Sequence, residues 1–130
     1  MHNIEIRGVR PSGLDDATID KIIVSSLKTL DIAACSLEID FVSRSRIRLL
    51  NKKFRSIDKP TDVLSFPQEN VPGQEIKILG NLVIASKVVA EKDENFENVI
   101  KHGLLHLLGY DHELDEEEWG RAASKIKCNL

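Results

Sequence analysis

Apolar and polar positions along the chain follow two periods, and the switches between them lay out its elements. Asn3 to Arg7 alternates apolar and polar residues and predicts a strand. Pro11-Ser-Gly13 is a turn. The period then lengthens: Ile19, Ile22, Ile23, Leu27 and Leu30 form the apolar stripe of a helix that Asp15 or Asp16 can cap. Alternation returns from Ser36 to Val42, with Leu37, Ile39 and Phe41 on one face. Ser43 caps a second helix, expected to turn Ile47, Leu50 and Phe54 inward and its basic residues outward, with Pro60 as the stop to anything helical. Asp62 to Phe66 is a short strand closed by Pro67, and Gln68 to Lys77 a polar loop. Ile78 to Ala85, interrupted by Gly80 and Asn81, reads as a buried strand. Ser86 opens a short helix, and Lys92 to Asn95 break it. A fourth helix runs from about Phe96 to Leu108 and packs Val99, Ile100, Leu104 and Leu107 or Leu108. A fifth runs from about Glu116 to Lys127 and packs Trp119, Ala122, Ala123 and Ile126. Four strands interleaved with five helices indicate a mixed sheet with helices packed against it.

At 130 residues the chain fits one domain with one core, residues 1–130. Its 42% hydrophobic and 30% charged content is that of a soluble globular protein. No apolar run approaches a membrane span, and the strand-like N-terminus is not a signal peptide, so a cytoplasmic protein is expected. Cys35 and Cys128 stand far apart, outside any metal-ligand spacing, and read as reduced thiols. A net charge of −3 carries no nucleic-acid signal, but it hides an uneven distribution. Seven basic residues (Arg44, Arg46, Arg48, Lys52, Lys53, Arg55, Lys59) stand against Asp58 alone, and six acids crowd Asp111 to Glu118. The basic run fits either a surface that guides a phosphate backbone or an ordinary solvated helix face.

Chemistry concentrates in His102-Gly-Leu-Leu-His106-Leu-Leu-Gly-Tyr-Asp-His112. His102 and His106, four apart on a helix, project from one face. Gly109 can adopt the left-handed conformation that ends a helix, so the chain can turn through Tyr110 and Asp111 and return His112 to the pair. Three neutral imidazoles make an open metal site, and zinc suits them without a thiolate. Gly103 stands where the glutamate of a His-Glu-x-x-His protease would be, which disfavours peptide hydrolysis. Asp111 either orients a ligand imidazole or caps the turn after Gly109. Arg55 has a planar fork able to grip a phosphate, unless Asp58 or Asp62 pairs with it. Thr61 and Ser65 can simply satisfy backbone groups.

The histidine motif, with Pro60-Thr-Asp-Val-Leu-Ser-Phe-Pro67 and Leu79-Gly-Asn-Leu-Val-Ile84, resembles the YbeY family of bacterial endoribonucleases over about Ile39 to His112. The resemblance implies a compact α+β, zincin-like domain with one zinc on His102, His106 and His112. It implies single-strand-selective cleavage of RNA in ribosomal RNA maturation, including the 3′ end of the small-subunit RNA, and a role in ribosome quality control. Small-subunit ribosomes are then a partner, with a ribosomal protein or GTPase as a further one. The family's important arginine falls on Arg55. Asn81 stands where the family usually has aspartate, a candidate second sphere to the metal here without its charge, and the segment from Ser86 to His102 is shorter than usual.

Chemically, zinc held by three imidazoles brings the pKa of water to about 7, with Arg55 balancing charge on the phosphate. Arg44, Arg48, Lys52, Lys53, Arg55 and Lys59 would guide the RNA, and His112 and Arg55 would carry catalysis. No residue is an evident general base. Two rivals stay open: another zinc hydrolase acting on peptides or amides, and a non-catalytic ribosome-associated factor in which the metal is structural.

Overall fold

The computed structural model describes residues 2–69, 72–73 and 76–128. Side-chain caps set the start of most helices. The chain runs β1 (Asn3–Gly8), α1 (Asp16–Thr29), β2 (Cys35–Val42), α2 (Arg44–Arg55), β3 (Val63–Pro67), β4 (Lys77–Ala85), α3 (Ser86–Glu91), α4 (Phe96–Leu107) and α5 (Glu116–Lys125). Asp15, Ser43, Asn95 and Asp115 each accept a backbone amide at the entry of α1, α2, α4 and α5, satisfying donors that the helix itself leaves orphaned.

The strands form one mixed sheet in the order β1-β2-β4-β3. β1, β2 and β4 are parallel, and β3 runs antiparallel on β4. Alternation in β2 sends Leu37, Ile39 and Phe41 to the face covered by α1 and α4. There they meet Ile19, Ile23, Leu27, Leu82, Ile84, Ile100 and Leu104 in the main core. Each such side chain contributes about 1.5–3 kcal/mol by leaving water. On the opposite face α2 and α3 set Ile47 and Val88 against Leu64, Val83 and Ala85. α5 lays Trp119, Ala122 and Ala123 against Leu105, so α4 is held from both sides.

A bulge re-aims β4. Ser36 pairs with Ile78 but Leu37 pairs with Gly80, leaving one extra residue in β4. Gly80 has φ 132°, and a Cβ there would lie 2.1 Å from the carbonyl oxygen of Phe66. Beyond it Leu82 and Ile84 face α4, while Asn81, Val83 and Ala85 face the other way.

Two expectations need correction. Phe54 does not turn inward: it is 56% exposed and meets Phe66 edge-on at 5.1 Å. α2 reaches the sheet through Ile47 and the half-buried Leu50, and its last turn overhangs the edge strand β3. The helix also ends before Pro60 acts, at Ser56 in the left-handed conformation (φ 60°). Parts of the expected 68–77 loop and the chain beyond 128 lie outside the described residues.

Candidate metal centre

α4 carries the first two imidazoles because its glycine lets it lie close to the sheet. A Cβ on Gly103 would come within 2.8 Å of Leu82 Cδ2 and 3.3 Å of Val63 Cγ2. The Ser65 hydroxyl donates to the Gly103 carbonyl at 3.1 Å, tying helix to strand. Gly109 takes φ 94°, its amide donates to the His106 carbonyl, and the Tyr110 amide reaches the Leu105 carbonyl. This glycine-ended Schellman stop reverses the chain at once. The following turn is built by Asp111, whose carboxylate accepts the Glu113 amide at 2.8 Å and whose carbonyl accepts from Leu114 and Asp115. Of the two roles considered for Asp111, this is the capping one.

The turn returns His112 to the helix. One ligand nitrogen from each of His102, His106 and His112 lies within 4.8 Å of the others. The Nε2 atoms of His102 and His106 are 3.1 Å apart, near the ~3.3 Å expected for two nitrogens on a tetrahedral zinc at ~2.0–2.1 Å. Burial, aided by the neighbouring His106, pushes His102 down to about 4. Burial also lowers His106, against the opposing charge of Asp111. Both rings are therefore neutral at pH 7, the form that ligates metal. Three imidazole nitrogen donors and an exposed side at His112 fit a borderline cation that keeps an open position.

Sequence reading missed Trp119 as part of this site. Its ring lies 5.1, 5.1 and 5.2 Å from the three imidazole rings, and its buried indole N–H has no partner among the described residues. As an apolar residue of α5 it reads as core, which it also is; nothing in its spacing points to the histidines.

The triad opens into a cleft of about 1070 Å³ whose lining includes Arg55, Asp62 and Glu94. Asp58 is engaged by Arg48 at 2.9 Å and Lys52 at 4.0 Å. Arg55 has no ion-pair partner among the described residues and is exposed at the rim. Asp62 and Glu94 share a hydrogen bond between carboxyls. Burial, then that bond and the charge of Asp62, raise Glu94 to about 7. Burial pushes Asp62 up too, but the Glu94 hydrogen bond, the charge of Lys92 and the Val63 amide outweigh it and hold Asp62 low. Glu94 is thus a proton-holding group on the cleft wall where none was evident in the sequence.

The other predicted residues lie further off. Arg44 pairs with Glu91 and Arg48 with Asp58, while Lys53 lies 5.3 Å over the Phe54 ring. Of the basic run, Arg55 alone lines the cleft. Asn81 is not beside the histidines. The Gly80 bulge turns it to the opposite face of the sheet, where its Nδ2 donates to Asp40 at 2.9 Å.

Known proteins resemble the chain over most of its length. The family model described as Endoribonuclease YbeY matches residues 12–125. A protein named Endoribonuclease YbeY from a Sulfurihydrogenibium species is 41% identical over 100 residues, 71% of this chain and 66% of its own length. Its namesake from Aliarcobacter butzleri is 44% identical over 104 residues, covering 74% and 70%. One from a Nitratiruptor species is 46% identical over 99 residues, covering 69% and 66%. The match thus spans about two thirds of these relatives' lengths. The solution structure of TM1509 from Thermotoga maritima superposes with a TM-score of 0.59 at 28% identity, over 98% of this chain and 85% of that one. The chain belongs to the YbeY family.

Proposed function

We propose that this chain is a zinc-dependent endoribonuclease that cuts single-stranded RNA. Its task would be ribosomal RNA processing, including maturation of the small-subunit 3′ end, and ribosome quality control. The relatives named Endoribonuclease YbeY support the activity. The observation that carries the reading is the three-imidazole cluster at the base of a cleft with an uncommitted arginine at its rim. His102, His106 and His112 would hold the ion. Bound there, it supplies Lewis-acid polarisation of a phosphoryl oxygen and acidifies water. The chain's own residues do the rest. Arg55 donates its fork to the phosphate and balances the charge that grows there. Glu94 and Asp62 keep a proton available near neutral pH. Trp119 walls the imidazoles on one side and limits water there. RNA is the substrate class; the cytoplasm is the expected setting, with the small subunit and a ribosomal protein or GTPase as partners. No helix among the described residues is long and apolar enough to cross a membrane.

Elemental analysis of the purified protein, paired with assays on single-stranded RNA, duplex RNA and peptides, tests this directly. One zinc per chain and cleavage of the single strand alone are expected. Peptide cleavage with RNA left intact would favour the rival zinc hydrolase. Against that rival, Gly103 carries no side chain where a zinc protease has its glutamate, and a Cβ there would crowd the side chains of Leu82 and Val63.

A further inference from the structure

Phe54 is a large apolar side chain, 56% exposed, at the end of α2. A single exposed apolar side chain needs no explanation by itself; what marks this one is where it stands. It stands edge-on to Phe66 at 5.1 Å with 69° between the rings, and both rings line the histidine cleft. Lys53 lies over one face of the ring at 5.3 Å from its centroid, and Arg55 follows Phe54 in sequence. Phe66 and Pro67 also line a second groove, which runs across the polar face of the sheet. An aromatic ring that lines the cleft, with one cation over a face and an arginine next to it in the chain, can hold a splayed-out base on its other face while the cations meet flanking phosphates.

We propose that Phe54, braced by Phe66, is a stacking platform for one nucleobase of a single-stranded RNA whose backbone enters the metal cleft. The inference rests on the endoribonuclease reading and deepens it. It supplies a physical source for single-strand selectivity: a base paired in a duplex has no free face to offer the ring. Stacking is sequence-tolerant, so the platform selects unpaired bases without choosing among them.

The test titrates an eight-nucleotide 2′-O-methyl RNA against the full-length protein by fluorescence anisotropy. A second titration uses the same backbone without bases. Phe54→Ala and Phe54→Leu should each weaken binding of the intact strand about tenfold to a hundredfold. Phe54→Trp should bind within about threefold of the parent. None of the three should change binding of the baseless strand. Because Phe54 is exposed, these variants should fold, and matched thermal unfolding checks it. Binding of the intact strand unchanged in Phe54→Ala overturns the platform. Retention in Phe54→Leu with loss in Phe54→Ala also overturns it, since a plain apolar contact, as for a protein partner, would then suffice. Parallel cleavage of ordinary RNA separates the two readings. A parent protein that cuts RNA while the Phe54 variants bind normally sinks the platform alone. One that neither binds nor cuts sinks both.

Discussion

Arg55 occupies the last position of α2, one residue before the left-handed Ser56, and no carboxylate neutralises it among the described residues. Its guanidinium is therefore available to a phosphate and contributes nothing to the core. Arg55→Ala should keep the fold and the metal and lower cleavage about a hundredfold to a thousandfold, the range for removing one electrostatic stabiliser. Unchanged turnover would take Arg55 out of the mechanism. Glu94 gives a second test, through pH. Its carboxyl is raised from 4.5 to about 7 in the folded protein, so between those values the folded state holds a proton that the unfolded state has released. Stability from this group is full below pH 4.5 and lost as pH rises through about 7. Glu94→Gln stays neutral throughout. Denaturant unfolding at pH 5 and pH 8 should show the parent losing stability relative to Glu94→Gln as pH rises; parallel curves would mean that the Glu94 carboxyl is not raised in the folded protein. The histidines were legible because a spacing of four on a helix and a glycine stop are local facts. Glu94 was not, because it meets Asp62 only through the joint between α3 and α4.

At the level of elements, period and caps placed nearly every helix and strand, since those signals lie within a few residues of what they control. Two outcomes depended on partners instead. The direction of Phe54 follows from where α2 overhangs β3, which no stripe on α2 alone reveals. The facing of Asn81 follows from the bulge at Gly80, where one extra residue inverts the parity of the strand. Gly80 is the sharper case, because the obstacle to any side chain there is backbone. A Cβ 2.1 Å from the Phe66 oxygen cannot be relieved by a rotamer change, and φ 132° is itself strained for other residues. Gly80→Ala should cost about 3 kcal/mol and lower the melting temperature by roughly 10 °C. Thermal unfolding reads this directly, and a loss under about 1 kcal/mol would mean that the strand can realign without the bulge.

Across the whole molecule, the cleft is unevenly charged. Arg55 lines it together with Asp62, Glu94, Asp111 and Glu113, and Arg44, Arg48 and Lys52 of the basic run are engaged in ion pairs with Glu91 and Asp58. Cleavage should therefore weaken with salt less steeply than seven free cations would give. The remaining question at this scale is whether a metal would act on substrate or merely fasten the C-terminal turn. The turn does not need one. Gly109 and Tyr110 close α4 by backbone bonds, Asp111 caps the next residues, and Asp115 caps α5. His112 is exposed, and its ring adds little to the core beyond its contact with Trp119. His112→Ala should accordingly fold with a metal-free melting temperature within about 3 °C of the parent, since surface changes stay within about 0.5 kcal/mol. Saturating zinc at 100 times the parent's dissociation constant should stabilise the parent by about 2.7 kcal/mol and the variant far less. RNA cleavage by the variant should fall at least a hundredfold. An unfolded His112→Ala protein would instead assign the metal a structural task and leave catalysis without a centre.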